Sequence, residues 1–171
     1  MFPVEDVYRR IEAELDIPKR VVRWYVSEKL IPQPEHQGRE AFYDIDKIQL
    51  IDRLKLIKIL QKDFKYRLGQ IKQIIRHYEN ADLGQLLTML EELRDGYKAY
   101  KDTKLNGGEI EIVDSLNSVI HNEFLTKLEQ GSLDLDSFSL LDLAEKIKKW
   151  PYDQYVSYVD NNKDYLRRFR E

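Results

Sequence analysis

The chain has 171 residues, enough to bury one core comfortably or two small ones, and it contains no cysteine. That excludes disulfides, thiolate metal sites and a cysteine nucleophile, and it fits a reducing compartment. The net charge of −3 is unevenly spread: residues 1–78 hold 16 Lys/Arg and 12 Asp/Glu (net +4), whereas residues 79–171 hold 12 and 19 (net −7), as expected of a segment that meets a polyanion followed by one that does not.

The N-terminal residues Met-Phe-Pro-Val-Glu-Asp-Val lack the basic and apolar regions of a signal peptide. No apolar run approaches the ~18–20 residues needed to cross a bilayer. The expected location is the cytoplasm, on the nucleoid when bound to DNA. Val4, Val7, Tyr8, Ile11 and Leu15 recur at three- and four-residue intervals, which predicts an amphipathic helix over 4–14. Asp16-Ile17 makes a short break, and Pro18 suits the first turn of a second helix running to about Lys29. On that helix Val21, Val22, Tyr25 and Val26 share one face, while Lys19, Arg20, Arg23, Trp24 and Ser27 share the other. Two short helices joined so tightly make a helix-turn-helix candidate.

Leu30 to Tyr43 carries Pro32, Pro34 and Gly38, which predicts a small hairpin with Gly38 near its tip. Asp44 is the expected N-cap of a third helix that stays apolar on one side to about Asp63. Phe64 to Arg67 forms a turn before a fourth helix marked by Leu68, Ile71, Ile74 and Ile75. Leu83, Leu86, Leu90, Leu93, Tyr97 and Tyr100 are then spaced 3-4-3-4-3, a heptad seam that suits a dimerisation helix or packing within the chain. Asn106-Gly107-Gly108 is the candidate linker. Beyond it, helices are expected from about Val113 to Gly131, from about Asp136 to Trp150, and over Tyr152 to Val159, with a last turn or two through Tyr165 and Phe169.

A helix bearing Lys19, Arg20 and Arg23 on one side can place guanidinium groups against guanine edges or phosphates. Trp24 offers an indole N–H, and Tyr25 points inward with a hydroxyl that could emerge at a phosphate. Arg39 would sit at the wing tip, and Lys65, Tyr66 and Arg67 could form a second wing. We assign bases to Arg20 and Arg23, and phosphates to Lys19, Arg39, Lys65 and Arg67. The bland reading of the same cations is a solvated helix face.

The order of parts resembles the MerR family of bacterial transcription regulators. Its recognition segment is matched by Arg23-Trp24-Tyr25, Leu30-Ile31 and Pro32-Gln33-Pro34. The wing's closing tyrosine and the acidic cap are matched by Tyr43-Asp44, and the second turn by Tyr66-Arg67-Leu68 with Ile71. Asp16 stands where the family usually has Gly, and Pro18 where it has Ser or Thr. The wing reads Gly38-Arg39-Glu40-Ala41-Phe42 in place of Gly-Tyr-Arg, so its arginine has either shifted to Arg39 or been lost. The resemblance implies a mainly α fold: a winged helix-turn-helix domain with a small β wing (1–80), a long dimerisation helix (81–105) and a small helical C-terminal domain (109–171). It implies a homodimer on double-stranded DNA that distorts promoter DNA, with Tyr43 among the DNA-binding positions. RNA polymerase or another protein is a candidate partner for the acidic C-terminal half.

No cofactor, metal or membrane is expected. His36, His77 and His121 are scattered; His121-Asn122-Glu123 has the H-x-E order of zinc deaminases but lacks the downstream cysteines. No P-loop, dinucleotide fingerprint or G-x-S-x-G is present, so an enzyme is not expected. The aromatics Trp150, Tyr152, Tyr155, Tyr158 and Tyr165 suit either a small aromatic core or an effector pocket. The rival function is an architectural or recombination-accessory DNA-binding protein that uses the same domain without an effector.

Overall fold

The computed structural model describes the backbone of residues 1–105 and 111–162, and the side chains of residues 1–96 and 119–162. Those residues form two compact units, Met1–Leu87 and, from Thr88 onward, a second helical one. In the first unit, strand β1 (Phe2–Pro3) leads into helix α1 (Val4–Leu15), which turns into α2 (Lys19–Ser27). Strands β2 (Glu35–Gln37) and β3 (Glu40–Tyr43) follow, then α3 (Leu50–Lys62), α4 (Leu68–His77) and α5 (Leu83–Leu105), which continues into the second unit.

Helix α1 buries Val7, Tyr8 and Ile11, and α2 buries Val22, Tyr25 and Val26, as their periodicity predicts. Pro18 stands at the N-cap, one residue before the first helical position. Asp16 closes α1 in the left-handed region at φ 54°, its N–H donating to the Glu12 carbonyl. The end of α2 is a Schellman motif: Leu30 N–H donates to Tyr25 O at 2.9 Å, and Lys29 N–H to Val26 O at 3.0 Å. This requires a left-handed residue at position 29, and Lys29 adopts φ 61°. Left-handed backbone costs a residue with a Cβ ~1–2 kcal/mol. Lys29→Gly is therefore expected to raise stability by up to about 1 kcal/mol after the added unfolded-state entropy. A urea midpoint no higher than that of the parent protein would refute it.

The sheet has the order β1-β3-β2, antiparallel throughout, with Phe2 opposite Tyr43 and Glu35 opposite Phe42. The hairpin with Gly38 (φ 66°) in its turn agrees with the sequence reading, whereas β1 was not foreseen. A two-residue strand carries no detectable alternation. Its Pro3 has no N–H to give and is tolerated at a sheet edge.

The third helix starts later than expected. Asp44 does cap a turn, accepting from Lys47 N–H at 3.2 Å, but the chain then passes through Gln49 at φ 49° and the helix begins at Leu50. A left-handed residue cannot continue a right-handed helix, although Ile45 is buried and keeps the apolar spacing intact. The Gln49 side chain spans a gap in sequence: its Nε2 donates to Ala81 O at 2.9 Å, and its Oε1 accepts from Leu83 N–H at 2.8 Å. Asp82 Oδ1 accepts from Gly84 N–H at 2.9 Å and Gln85 N–H at 3.2 Å. Three amides at the start of α5, which have no partner within the helix, are thereby satisfied.

The seam leucines Leu83, Leu86, Leu90 and Leu93 are all buried within the single chain. A heptad repeat specifies an apolar stripe without specifying what covers it. Tyr97 and Tyr100 lie on α5, but their side chains fall outside the described ones, and the Asn106-Gly107-Gly108 linker lies outside the described residues.

The second unit contains α6 (Glu111–Gln130), α7 (Leu140–Lys148) and α8 (Tyr152–Asn161). Its core includes Val119, Phe124, Leu125, Leu128 and Ile147, with the Phe124 and Phe138 rings 5.5 Å apart. Helix α7 begins after Ser139, whose Oγ accepts from Asp142 N–H, and not near Asp136. Asp134 holds residues 136–138 in turns, its carbonyl accepting from Phe138 N–H at 2.8 Å. Among the described residues no helix is long and apolar enough to cross a membrane.

Candidate nucleic-acid interface

Burying Val22, Tyr25 and Val26 turns the opposite side of α2 outward, where Arg20, Arg23 and Trp24 are exposed and Lys19 half-buried. Trp24 is 44% exposed, an unusual setting for an indole, with its ring 5.5 Å from that of Tyr25. Arg20 makes no ion pair among the described residues, whereas the other two cations are held by α1. Lys19 Nζ donates to Glu5 Oε1 at 2.6 Å, and Arg23 Nη2 lies 3.9 Å from the same oxygen. Lys19 Nζ and the Arg23 guanidinium carbon also lie 5.6 and 5.9 Å from the centroid of the Tyr8 ring. The Lys19 hydrogen bond, with the Arg23 charge beside it, holds the Glu5 carboxyl below its ordinary range.

Three aromatic candidates belong to the scaffold. Tyr43 is 2% exposed and donates to Pro32 O at 3.1 Å, tying the base of the hairpin to the segment leaving α2. Burial, with Tyr8 beside it, pushes its phenol pKa well above the ordinary value. Tyr66 is buried, its N–H donating to Leu60 O at 3.0 Å. Tyr25 is 7% exposed, its hydroxyl donating to Gln61 Oε1 at 3.4 Å, and burial raises its pKa. Tyr43 and Tyr66, expected among the DNA-binding positions, are thus both buried residues. An aromatic beside a turn reads as a surface donor, yet here each ring fills the core under that turn.

The remaining cations are exposed. Arg39 follows Gly38 in the hairpin turn, and Lys65 occupies a turn at φ 57°. Arg67 caps α4, with its N–H donating to Gln70 Oε1 at 2.9 Å. The Tyr25–Gln61 contact places the end of α3, and so the turn that follows it, against α2.

Arg53 was missed by sequence reasoning. It is 5% exposed, and its guanidinium donates to Ile48 O at 3.3 Å and to Leu30 O at 3.4 Å. It links the segment leaving α2 to the turn that opens α3. Burial lowers its pKa, with the Glu79 charge opposing that shift.

An exposed cationic helix, an apolar underside, a three-stranded wing and a second turn thus share one unit, and residues 9–78 of it match the model of the MerR HTH family regulatory protein. The similarity is confined to this N-terminal stretch, less than half of the chain. Its helix-turn-helix is of the kind carried by DNA-binding transcription regulators. No curated protein and no solved structure matches the chain.

The second unit lies outside the match. There Asn122 Nδ2 donates to the Tyr158 hydroxyl, whose pKa burial raises. The Trp150 and Tyr158 rings stand 5.4 Å apart, and His121 Nε2 is 3.3 Å from Leu93 O, inside the core. Tyr152 is exposed, Tyr155 half-buried, and Tyr165 outside the described residues. Among the described residues no group of three His, Asp or Glu side chains is placed to hold a metal ion.

Proposed function

We propose that this protein is a sequence-specific transcription regulator that binds double-stranded DNA as a homodimer and distorts promoter DNA. The observation that carries the reading is the outward face of α2, where Arg20, Arg23 and Trp24 project from a helix whose other side is packed into a family-matched helix-turn-helix. Arg20 and Arg23 are the base readers, and Lys19, Arg39, Lys65 and Arg67 contact phosphates. The homodimer rests on the length of α5 and its heptad stripe. Because the four described leucines are covered within one chain, a second copy has to use other faces of that helix. A dimer sets two recognition helices against a pseudo-palindromic site, and bending that site is indirect readout, with deformation energy offset by flanking phosphate contacts.

Selection of duplexes from a random pool by the full chain, at a stated salt concentration, tests this reading. One enriched pseudo-palindrome is expected, bound by two copies as measured by light scattering. Binding spread evenly over the pool would favour the architectural alternative, and binding to no duplex would refute DNA recognition altogether.

A further inference from the structure

The recognition helix carries its own competitor. Glu5, in the first turn of α1, is the acceptor for Lys19 and lies near Arg23; Glu5 and Arg23 are open to solvent and Lys19 partly so. Any phosphate approaching Lys19 meets a carboxylate already seated on it. We propose that Glu5 is an affinity-setting residue, a charge gate that weakens phosphate binding at the α2 face; this rests on the DNA-binding reading above.

The argument follows from what each contact contributes. A phosphate held by Lys19 supplies affinity on every duplex and so carries no sequence information. With the Glu5 carboxylate in place, that contact exchanges one ion pair for another, and its net gain shrinks. A base-edge contact from Arg20, which has no acid across from it among the described residues, keeps its full value. The gate therefore lowers affinity for random and preferred DNA by a similar factor, and leaves the base-edge preference of Arg20 in place. The same carboxylate also orders Lys19 and Arg23 above the Tyr8 ring, so its removal alters charge and order together.

Glu5→Gln keeps the shape and removes the charge. The measurement is titration of the full-length variant and parent onto a 30-bp random-sequence duplex and onto the duplex enriched by the parent protein, over a salt series. The gate predicts binding of Glu5→Gln to the random duplex tighter by about two- to fivefold at low salt, the range of an exposed ion pair. Its log–log salt slope should steepen by up to about one unit, one further counterion released. Affinity for the enriched duplex should rise by a similar factor, so the specificity ratio changes little. Glu12→Gln makes the same change in net charge on an exposed part of α1 away from these pairs and should reproduce none of this. In Glu5→Gln/Lys19→Gln the gain should vanish, because it runs through Lys19.

An equal gain from Glu12→Gln would mean bulk charge and overturn the gate. So would a Glu5→Gln variant with unchanged or weaker random-duplex binding, which leaves Glu5 an organiser only. In both cases the parent protein still binds DNA. Failure of the parent to bind any duplex removes the DNA-binding reading itself, and the gate with it.

Discussion

Replacing Arg20 by alanine is expected to weaken binding to the preferred duplex by about five- to 150-fold, or ~1–3 kcal/mol, the value of a guanidinium that reads a base edge. Arg20 is the α2 cation best placed for this. It is exposed on the face opposite Val22 and Val26, and no carboxylate pairs with it among the described residues. The loss should come with relaxed preference at one position of each half-site, while binding to random DNA falls far less. A phosphate contact would behave differently, weakening all duplexes alike and flattening the salt slope by about one unit. Arg23→Ala should show the same pattern more weakly, since Arg23 has Glu5 nearby to leave. If Arg20→Ala binds as tightly as the parent with the same site preference, α2 is not the recognition helix.

The largest stability effect is expected at Arg53. Its guanidinium is buried and donates to two backbone carbonyls, so Arg53→Ala leaves both without that donor and empties the space its stem fills. Hydrogen bonds from charged donors contribute ~1.5–3 kcal/mol each, and at 3.3 and 3.4 Å the pair sits at the lower end. The combined loss is about 3 kcal/mol, which lowers a melting midpoint by ~6–12 °C for a protein of this size. Leu30, whose carbonyl would be stranded, also supplies the N–H that closes α2. Arg53→Ala should thus loosen the end of α2 as well as the core, with faster amide exchange at Leu30 than the global destabilisation explains. A midpoint within about 1 °C of the parent would show that water replaces the guanidinium at little cost.

Helix α2 was legible because both of its faces are written in local spacing. Val22, Tyr25 and Val26 fall on one side by the geometry of any α-helix, and the cations are left on the other. The hairpin was legible for a similar reason, since Gly38 supplies the positive φ its turn needs. What escaped was set by residues far apart in the chain. Glu5 meets Lys19 across a turn fourteen positions away, and Arg53 meets Leu30 twenty-three away; neither spacing is a helical or strand period. The burial of Tyr43 and Tyr66 was not legible, because residue type says that a phenol can hydrogen-bond, not which side of a turn it occupies. The delayed start of α3 has the same origin. Nothing in the residues around Gln49 announces a left-handed backbone, and the partners of its side chain, Ala81 and Leu83, lie far along the chain.

That Gln49 clamp bears on where the chain can be divided. By sequence the DNA-binding part closes near Tyr78 or residue 80, where the helix-turn-helix features end. Cutting there would leave both ends of the Gln49 amide without their backbone partners, and would strip Leu83 and Leu86 from positions where they are fully buried. The first turn of α5 is therefore part of the N-terminal unit, and a graft or truncation that respects the fold has to carry Asp82 to Leu87 along with it.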